Sequence, residues 1–143
     1  MSAVSPDRSS DLAWLLKDLA QEVPVIRGSV LLSSDGLVKA AHGLDRANSE
    51  YLAALASGLF SMARSASTKF DGGTEVRQVV AELHASQLFI SWAGFNSVIA
   101  VLAEREADPA VVGFEMARLI KAVRPFLGTA ARTSAAPPGD RAR

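Results

Sequence analysis

The sequence predicts an α+β domain in which helices cover both faces of an antiparallel sheet. Three observations lead there. First, the spacing of apolar residues passes from helix-like recurrence to strand-like runs and back, in the order α-β-β-α-β-β-β-α. Second, the last three strand-like runs are joined by short links, His84 to Ser86 and Gly94 to Asn96, which suit an antiparallel meander. Third, those strands are apolar on both parities: Leu88, Ile90 and Trp92 alternate with Phe89 and Ala93, and Val98 and Leu102 oppose Ile99 and Val101. A sheet with one wet face would carry polar residues on one parity. Both faces therefore need a cover, and three helices supply it.

Taken in order, the first helix is expected from Ser9 or Ser10 as N-cap, with Asp11 in its first turn. Leu12, Leu15, Leu16, Leu19 and Val23 recur at helical spacing, and Pro24 stops the run. Ile26 to Ser33 is a strand, Ser34-Asp35-Gly36 a turn, and Leu37 to Ala41 the returning strand. After a loop from Gly43 to Asn48, the longest helix runs from about Ser49 to Phe70, capped by Asn48 or Ser49 and ended by Asp71-Gly72-Gly73. Strands follow at Glu75 to Leu83, Gln87 to Ala93 and Ser97 to Ala103. The last helix opens at Asp108-Pro109, an N-cap followed by Pro at the first helical position. Its stripe is Val112, Met116, Leu119, Ile120, Val123 and Leu127; Pro125 disturbs the final turn and Gly128 lies at its end.

The 143 residues suffice for one domain, expected over 9–128, with a flexible N-terminus over 1–8. Residues 129–143, TAARTSAAPPGDRAR, contain no Leu, Ile, Val or aromatic residue and are expected to be a disordered tail.

Composition excludes several function classes. Fifteen basic residues balance fifteen acidic ones, which disfavours nucleic-acid binding. There is no cysteine, so disulfides, thiol catalysis and cysteine-bound metal clusters are excluded. No apolar run approaches the roughly 18–20 residues of a membrane span, and the first residues hold no apolar signal core. A cytoplasmic location is the expectation. Nor does a catalytic constellation emerge. His42 and His84 sit at a strand end and a turn, without a metal-ligand partner at helical spacing. Ser33, Ser34 and Asp35 serve a turn, and no nucleophile elbow surrounds them. Gly72-Gly73 ends a helix and lacks the Lys of a phosphate loop. Glu104, Glu106 and Asp108 fall in a loop where solvated carboxylates are ordinary. No catalytic, cofactor-binding or metal-binding residue is assigned, and recognition is expected in place of reaction.

The long helix points to what is recognised. Wound at 100° per residue, it puts Leu52, Leu55, Ala56, Leu59, Ala63, Ala66 and Phe70 on one side, the expected sheet-facing stripe. The other side carries Ala54, Ser57, Gly58, Ser61, Ser65 and Thr68, and Arg64 is the sole charge between Tyr51 and Thr68. Small uncharged residues solvate a surface poorly but allow close helix approach, and Ala53, Ser57, Ser61 and Ser65 form an i+4 ridge suited to a partner's groove. Gly58 and the serines lower helix propensity, so propensity does not explain them. Ala54, Ser57, Gly58, Ser61, Arg64, Ser65 and Thr68 are accordingly candidate interface residues, toward a second copy or another protein. Trp14 lies opposite the leucine stripe of the first helix, near Lys17, Asp18 and Gln21. Phe114 lies off the stripe of the last helix, near Arg118 and Lys121. Both are candidates for a further partner surface.

Over about residues 11–128 the chain resembles the roadblock/dynein-light-chain family, in its actinobacterial-type branch. The segments that carry the resemblance are DLAWLLKDLAQEVPVIRGSVLLSSDGLVKAAHGL, YLAALASGLFSMARSASTKF, VRQVVAEL and VVGFEMARLI. The resemblance implies a five-stranded antiparallel sheet with one long helix on one face and the two terminal helices on the other. It implies homodimers built by pairing long helices and joining sheet edges. It also implies a small Ras-like GTPase as partner, with regulation or activation of GTP hydrolysis inside a complex that includes a histidine-kinase-like sensor. Such proteins have no nucleotide site of their own, so nothing is carried over as catalytic. If an arginine were inserted into the GTPase, Arg46, Arg64 and Lys69 are the cationic candidates on or beside the long helix. The alternative, a sensory module binding a small molecule, requires a pocket with convergent polar groups, whereas the expected core-facing residues are almost all apolar. A hydrolase is disfavoured by the lack of a nucleophile–base pair.

Overall fold

The computed structural model describes the backbone of residues 4–135 and the side chains of 12–127. Among these residues the elements are α1 (Val4–Glu22), β1 (Ile26–Ser33), β2 (Val38–His42), α2 (Arg46–Asp71), β3 (Val79–Glu82), β4 (Ser86–Gly94), β5 (Ser97–Glu104) and α3 (Pro109–Ala135). The strands form one five-stranded antiparallel sheet in the order β2-β1-β5-β4-β3. Two local units, the β1–β2 hairpin and the β3–β4–β5 meander, are joined by pairing β5 against β1, from Ile26 opposite Ala103 to Ser33 opposite Ser97.

The double parity seen in the sequence has the expected consequence. Phe89, Ala93, Ile99 and Val101 point to one face, which α1 covers with Leu12, Leu16 and Leu19 and α3 with Val112, Met116 and Val123. Val30, Leu32, Leu88, Ile90, Val98 and Ala100 point to the other, covered by α2 through Leu52, Ala53, Ala56 and Phe60. Phe89, Leu31, Ile99 and Met116 are almost wholly buried. Each side chain of that size contributes about 1.5–3 kcal/mol by leaving water. The long helix thus lies alone on its face, and the terminal helices share the other.

Several boundaries differ from the sequence expectation. The backbone is helical from Val4, so Ser9 and Ser10 lie inside α1 and part of the segment expected to be flexible is helical. Pro6 sits within the first turn, where its missing N–H has no intrahelical acceptor to lose. At the other end α3 runs through Pro125 and Gly128 to Ala135, into the segment expected to be disordered, where Ala130, Ala131, Arg132 and Ala135 are good helix formers. Residues 1–3 and 136–143 lie outside the described residues. The cap of α2 is Asp45, not Asn48 or Ser49: its carboxylate accepts a hydrogen bond from the Asn48 N–H at 2.8 Å. Finally, β3 starts at Val79, not Glu75. The bulge between Trp92 and Gly94 re-aims the end of β4, and residues 74–78 run alongside without ladder pairing.

Candidate functional site

The outer surface of α2 begins with how the helix is rolled on the sheet. Its buried residues are Ser49, Leu52, Ala53, Ala56 and Phe60. The expected stripe is therefore rotated: Leu52 and Ala56 face the sheet as expected and Leu59 packs partly against it, but Leu55 and Phe70 are exposed, Phe70 by 80%. Ala53, expected on the outer ridge, is fully buried. The aromatic ring explains the roll. Phe60 stacks on Trp92 of β4 with ring centroids 5.9 Å apart and an interplanar angle of 17°. Such a pair is worth about 0.5–1.5 kcal/mol beyond the area it buries.

On the outer side Ala54, Gly58, Ser61, Ser65 and Thr68 are exposed, as their composition suggested. The structure adds residues that composition missed. Tyr51, Leu55 and Met62 are 67%, 43% and 63% exposed on the same side, flanking the small residues. With Gly58 they recur at i, i+4, i+7 and i+11, a second helical stripe that was available in the sequence. A Cβ placed on Gly58 would meet nothing within 4 Å. Nothing in the described protomer therefore calls for glycine there, although glycine costs about 0.8–1.0 kcal/mol relative to alanine in a helix interior.

Two expected interface residues turn inward. Ser57 is half-buried and its hydroxyl donates to the Ser34 carbonyl at 2.7 Å, tying α2 to the β1–β2 turn. Arg64 leaves the outer face altogether. Its guanidinium carbon lies 5.5 Å from the Phe60 ring centroid and 5.4 Å from that of Trp92. A cation over aromatic faces gains about 0.5–2 kcal/mol. Yet the Arg64 Nε is buried without a hydrogen-bond acceptor, and an unmade buried hydrogen bond costs about 1–3 kcal/mol. Beside it opens a cleft of about 480 Å³ between α2, the end of β4 and residues 74–77, with Thr74, Glu75 and Arg77 on its far wall. Of the other cationic candidates, Arg46 makes an exposed ion pair with Glu50 at 3.3 Å, and Lys69 is exposed in the last turn of α2.

Trp14 and Phe114 are exposed by 62% and 64%. They project from α1 and α3, on the opposite side of the sheet from α2, so the fold does not bring them into the α2 surface. Near Phe114, Arg118 pairs with Glu115 at 2.8 Å. At the end of the sheet beside Ser57, the Ser34 hydroxyl bonds the Asn96 side chain and the Lys39 ammonium donates to Ser97 Oγ. Burial pushes the Lys39 ammonium below its ordinary pKa, with Asp35 opposing part of that shift. Among the described residues no group of three His, Asp or Glu is placed to hold a metal ion, and no helix is long and apolar enough to cross a membrane.

Comparison with known proteins accords with this geometry. The Roadblock/LC7 domain model matches residues 12–103. The crystal structure of a Roadblock/LC7 domain from Streptomyces avermitilis superposes with a TM-score of 0.78 at 56% identity, over 80% of this chain and 96% of that one. Another Roadblock/LC7 structure from the same organism gives a TM-score of 0.64 at 34% identity, over 78% and 96%. The gliding protein MglB from Thermus thermophilus shares the fold, with a TM-score of 0.75 at 17% identity over 85% and 92%. No match was found among curated proteins. The match over most of the folded region, with 56% identity to a solved member, places this chain in the Roadblock/LC7 family.

Proposed function

We propose that the protein is a non-catalytic, homodimeric regulator that binds a small Ras-like GTPase in the cytoplasm and modulates its nucleotide cycle. The observation that carries this reading is the outer face of α2. Its small residues, with open space over Gly58, are flanked by exposed Tyr51, Leu55 and Met62. Small residues beside an apolar ridge let a second helix pack at close range. Two such helices around a two-fold axis would form a rigid platform, since an isologous contact repeats every residue.

A platform of this kind acts without nucleotide chemistry of its own. A small GTPase hydrolyses slowly until its switch loops hold the attacking water and the charge-stabilising groups in place. A partner shifts those loops only by as much as it binds one arrangement better than the other. The reading therefore demands nucleotide-dependent affinity. The test presents the immobilised protein to purified small Ras-like GTPases loaded with GDP or with a non-hydrolysable GTP analogue, and follows single-turnover hydrolysis in parallel. A complex that discriminates the two states supports the reading. Failure to bind in either state, with unchanged hydrolysis, overturns it.

A further inference from the structure

We infer that the cleft beside Arg64 is a binding site for a single carboxylate group. This is independent of the GTPase reading, because it rests on the sheet side of α2 and on residues 74–77. Arg64 is anchored by carbon and π contacts: its guanidinium lies about equally far from the stacked rings of Phe60 and Trp92. Held against aromatic faces, a guanidinium keeps its in-plane N–H edge free, and that fork matches a carboxylate bidentately. The edge is also under-used. Among the described residues neither Arg64 nor Arg77 makes a salt bridge, and the Arg64 Nε–H is buried without an acceptor, which leaves the terminal Nη edge for a ligand in the cleft.

The cleft supplies room and charge. Its roughly 480 Å³ adjoins Arg64 on one wall and Arg77 and Thr74 on the other, within the range of small-ligand sites. Glu75 lines it too, so its charged side chains sum to one positive charge. One excess positive charge suits a monoanionic carboxylate and disfavours a dianionic phosphate. The carboxylate has two sources, a free organic acid or an Asp or Glu side chain of another protein, and the fork takes either.

The full chain carries its own reporters, the Arg64 Nε–H and the Trp92 indole N–H, followed by ¹⁵N NMR. One arm titrates propionate, and a second titrates N-acetyl-aspartate N-methylamide, with chloride holding ionic strength constant. Saturable shifts of both signals are expected, with the tighter arm identifying the source. Arg64→Gln should weaken the response at least about tenfold. Arg64→Lys, which keeps the charge over the rings and loses the fork, should weaken it several-fold at an unchanged thermal midpoint. The inference is overturned if neither probe saturates by about 50 mM, a free energy too small for a formed site. It is equally overturned if sulfate at matched ionic strength gives the same shifts, or if Arg64→Lys responds like wild type. Loss of self-association in Arg64→Gln, without any carboxylate response in the wild type, would assign the cation to a contact between copies and also overturn it.

Discussion

Replacing Gly58 with Leu separates the protomer from the assembly, because the two respond with opposite signs. In the isolated protomer the new side chain starts in open space, with nothing within 4 Å of its Cβ. Exchanging glycine for a strong helix former in an exposed interior position stabilises by about 0.8 kcal/mol. In a domain of this size that raises the thermal midpoint by a few degrees. If the outer face of α2 packs on a second copy, the same side chain enters the seam twice. Each insertion into a packed contact costs about 1–3 kcal/mol. Two insertions weaken the dimer by about 30-fold at the lower bound. Sedimentation equilibrium over a concentration series measures the second effect, and melting of the dilute protein the first. Ser61→Arg, on the same exposed face, is the charge counterpart: two like charges buried across the axis should leave a monomer at micromolar concentration. A wild type that sediments as a monomer refutes the reasoning. So does a Gly58→Leu protein whose dimer affinity is unchanged.

Other expectations are simpler. The isolated protein should neither bind nor hydrolyse GTP, and calorimetry showing micromolar affinity would contradict that. Gly43→Ala should destabilise the fold by about 1–3 kcal/mol, measured by urea unfolding. Gly43 has φ +86°, and a Cβ there would lie 2.6 Å from the Arg27 carbonyl oxygen, which is backbone and has little room to yield. Lys39 makes stability rise with pH. Burial lowers its pKa in the folded state beneath 10.5, so between the two values the unfolded chain binds more protons. The folded state therefore gains over that window, up to about pH 10.5. Lys39→Met should flatten this rise in stability measured from neutral pH upward.

The fold was legible because its decisive signals are local or depend on parity. Alternation in β4 and β5 assigns Phe89 and Ile99 to one face and Ile90 and Val98 to the other, which demands two helical layers whatever the connectivity. The pairing of β1 with β5 was not legible from the residues, since it joins segments about seventy positions apart and no turn specifies it. The residues gave the five strands, and the family resemblance added the placement of the long helix on one face and the terminal helices on the other, but not this pairing. Element ends were misjudged where weak cues compete. Asp45, Asn48 and Ser49 are all good caps, and only the structure shows that Asp45 accepts the Asn48 N–H. The cleft was illegible for a similar reason. Residues 74–78 look like strand, yet the β3–β4 ladder stops at Val79 opposite Ile90 and leaves them unpaired beside Arg64.

The roll of α2 is the most instructive difference, because it strengthens the case for a second surface. A helix made largely of Ala, Ser and Leu offers two apolar stripes about 150° apart around its axis, and periodicity alone does not rank them. The sheet takes the stripe with Phe60, whose ring meets Trp92, and with Ala53 and Ala56, whose small side chains let the helix lie close. The larger apolar residues Tyr51, Leu55 and Met62 are thereby turned to solvent. Full burial of such a side chain is worth about 1.5–3 kcal/mol, and scaled by their present exposures the three leave about 3–5 kcal/mol unrealised. The opposite arrangement would expose Leu52 and Phe60 in their place, which are only 7% and 4% exposed here. A second surface over the outward stripe would recover that burial, and the small residues beside the stripe would set how near it comes. Gly58 then has a physical reason that the protomer alone does not provide. The same roll carries Arg64 away from the outer face and over the aromatic pair, so one packing choice creates both the apolar stripe and the cationic cleft.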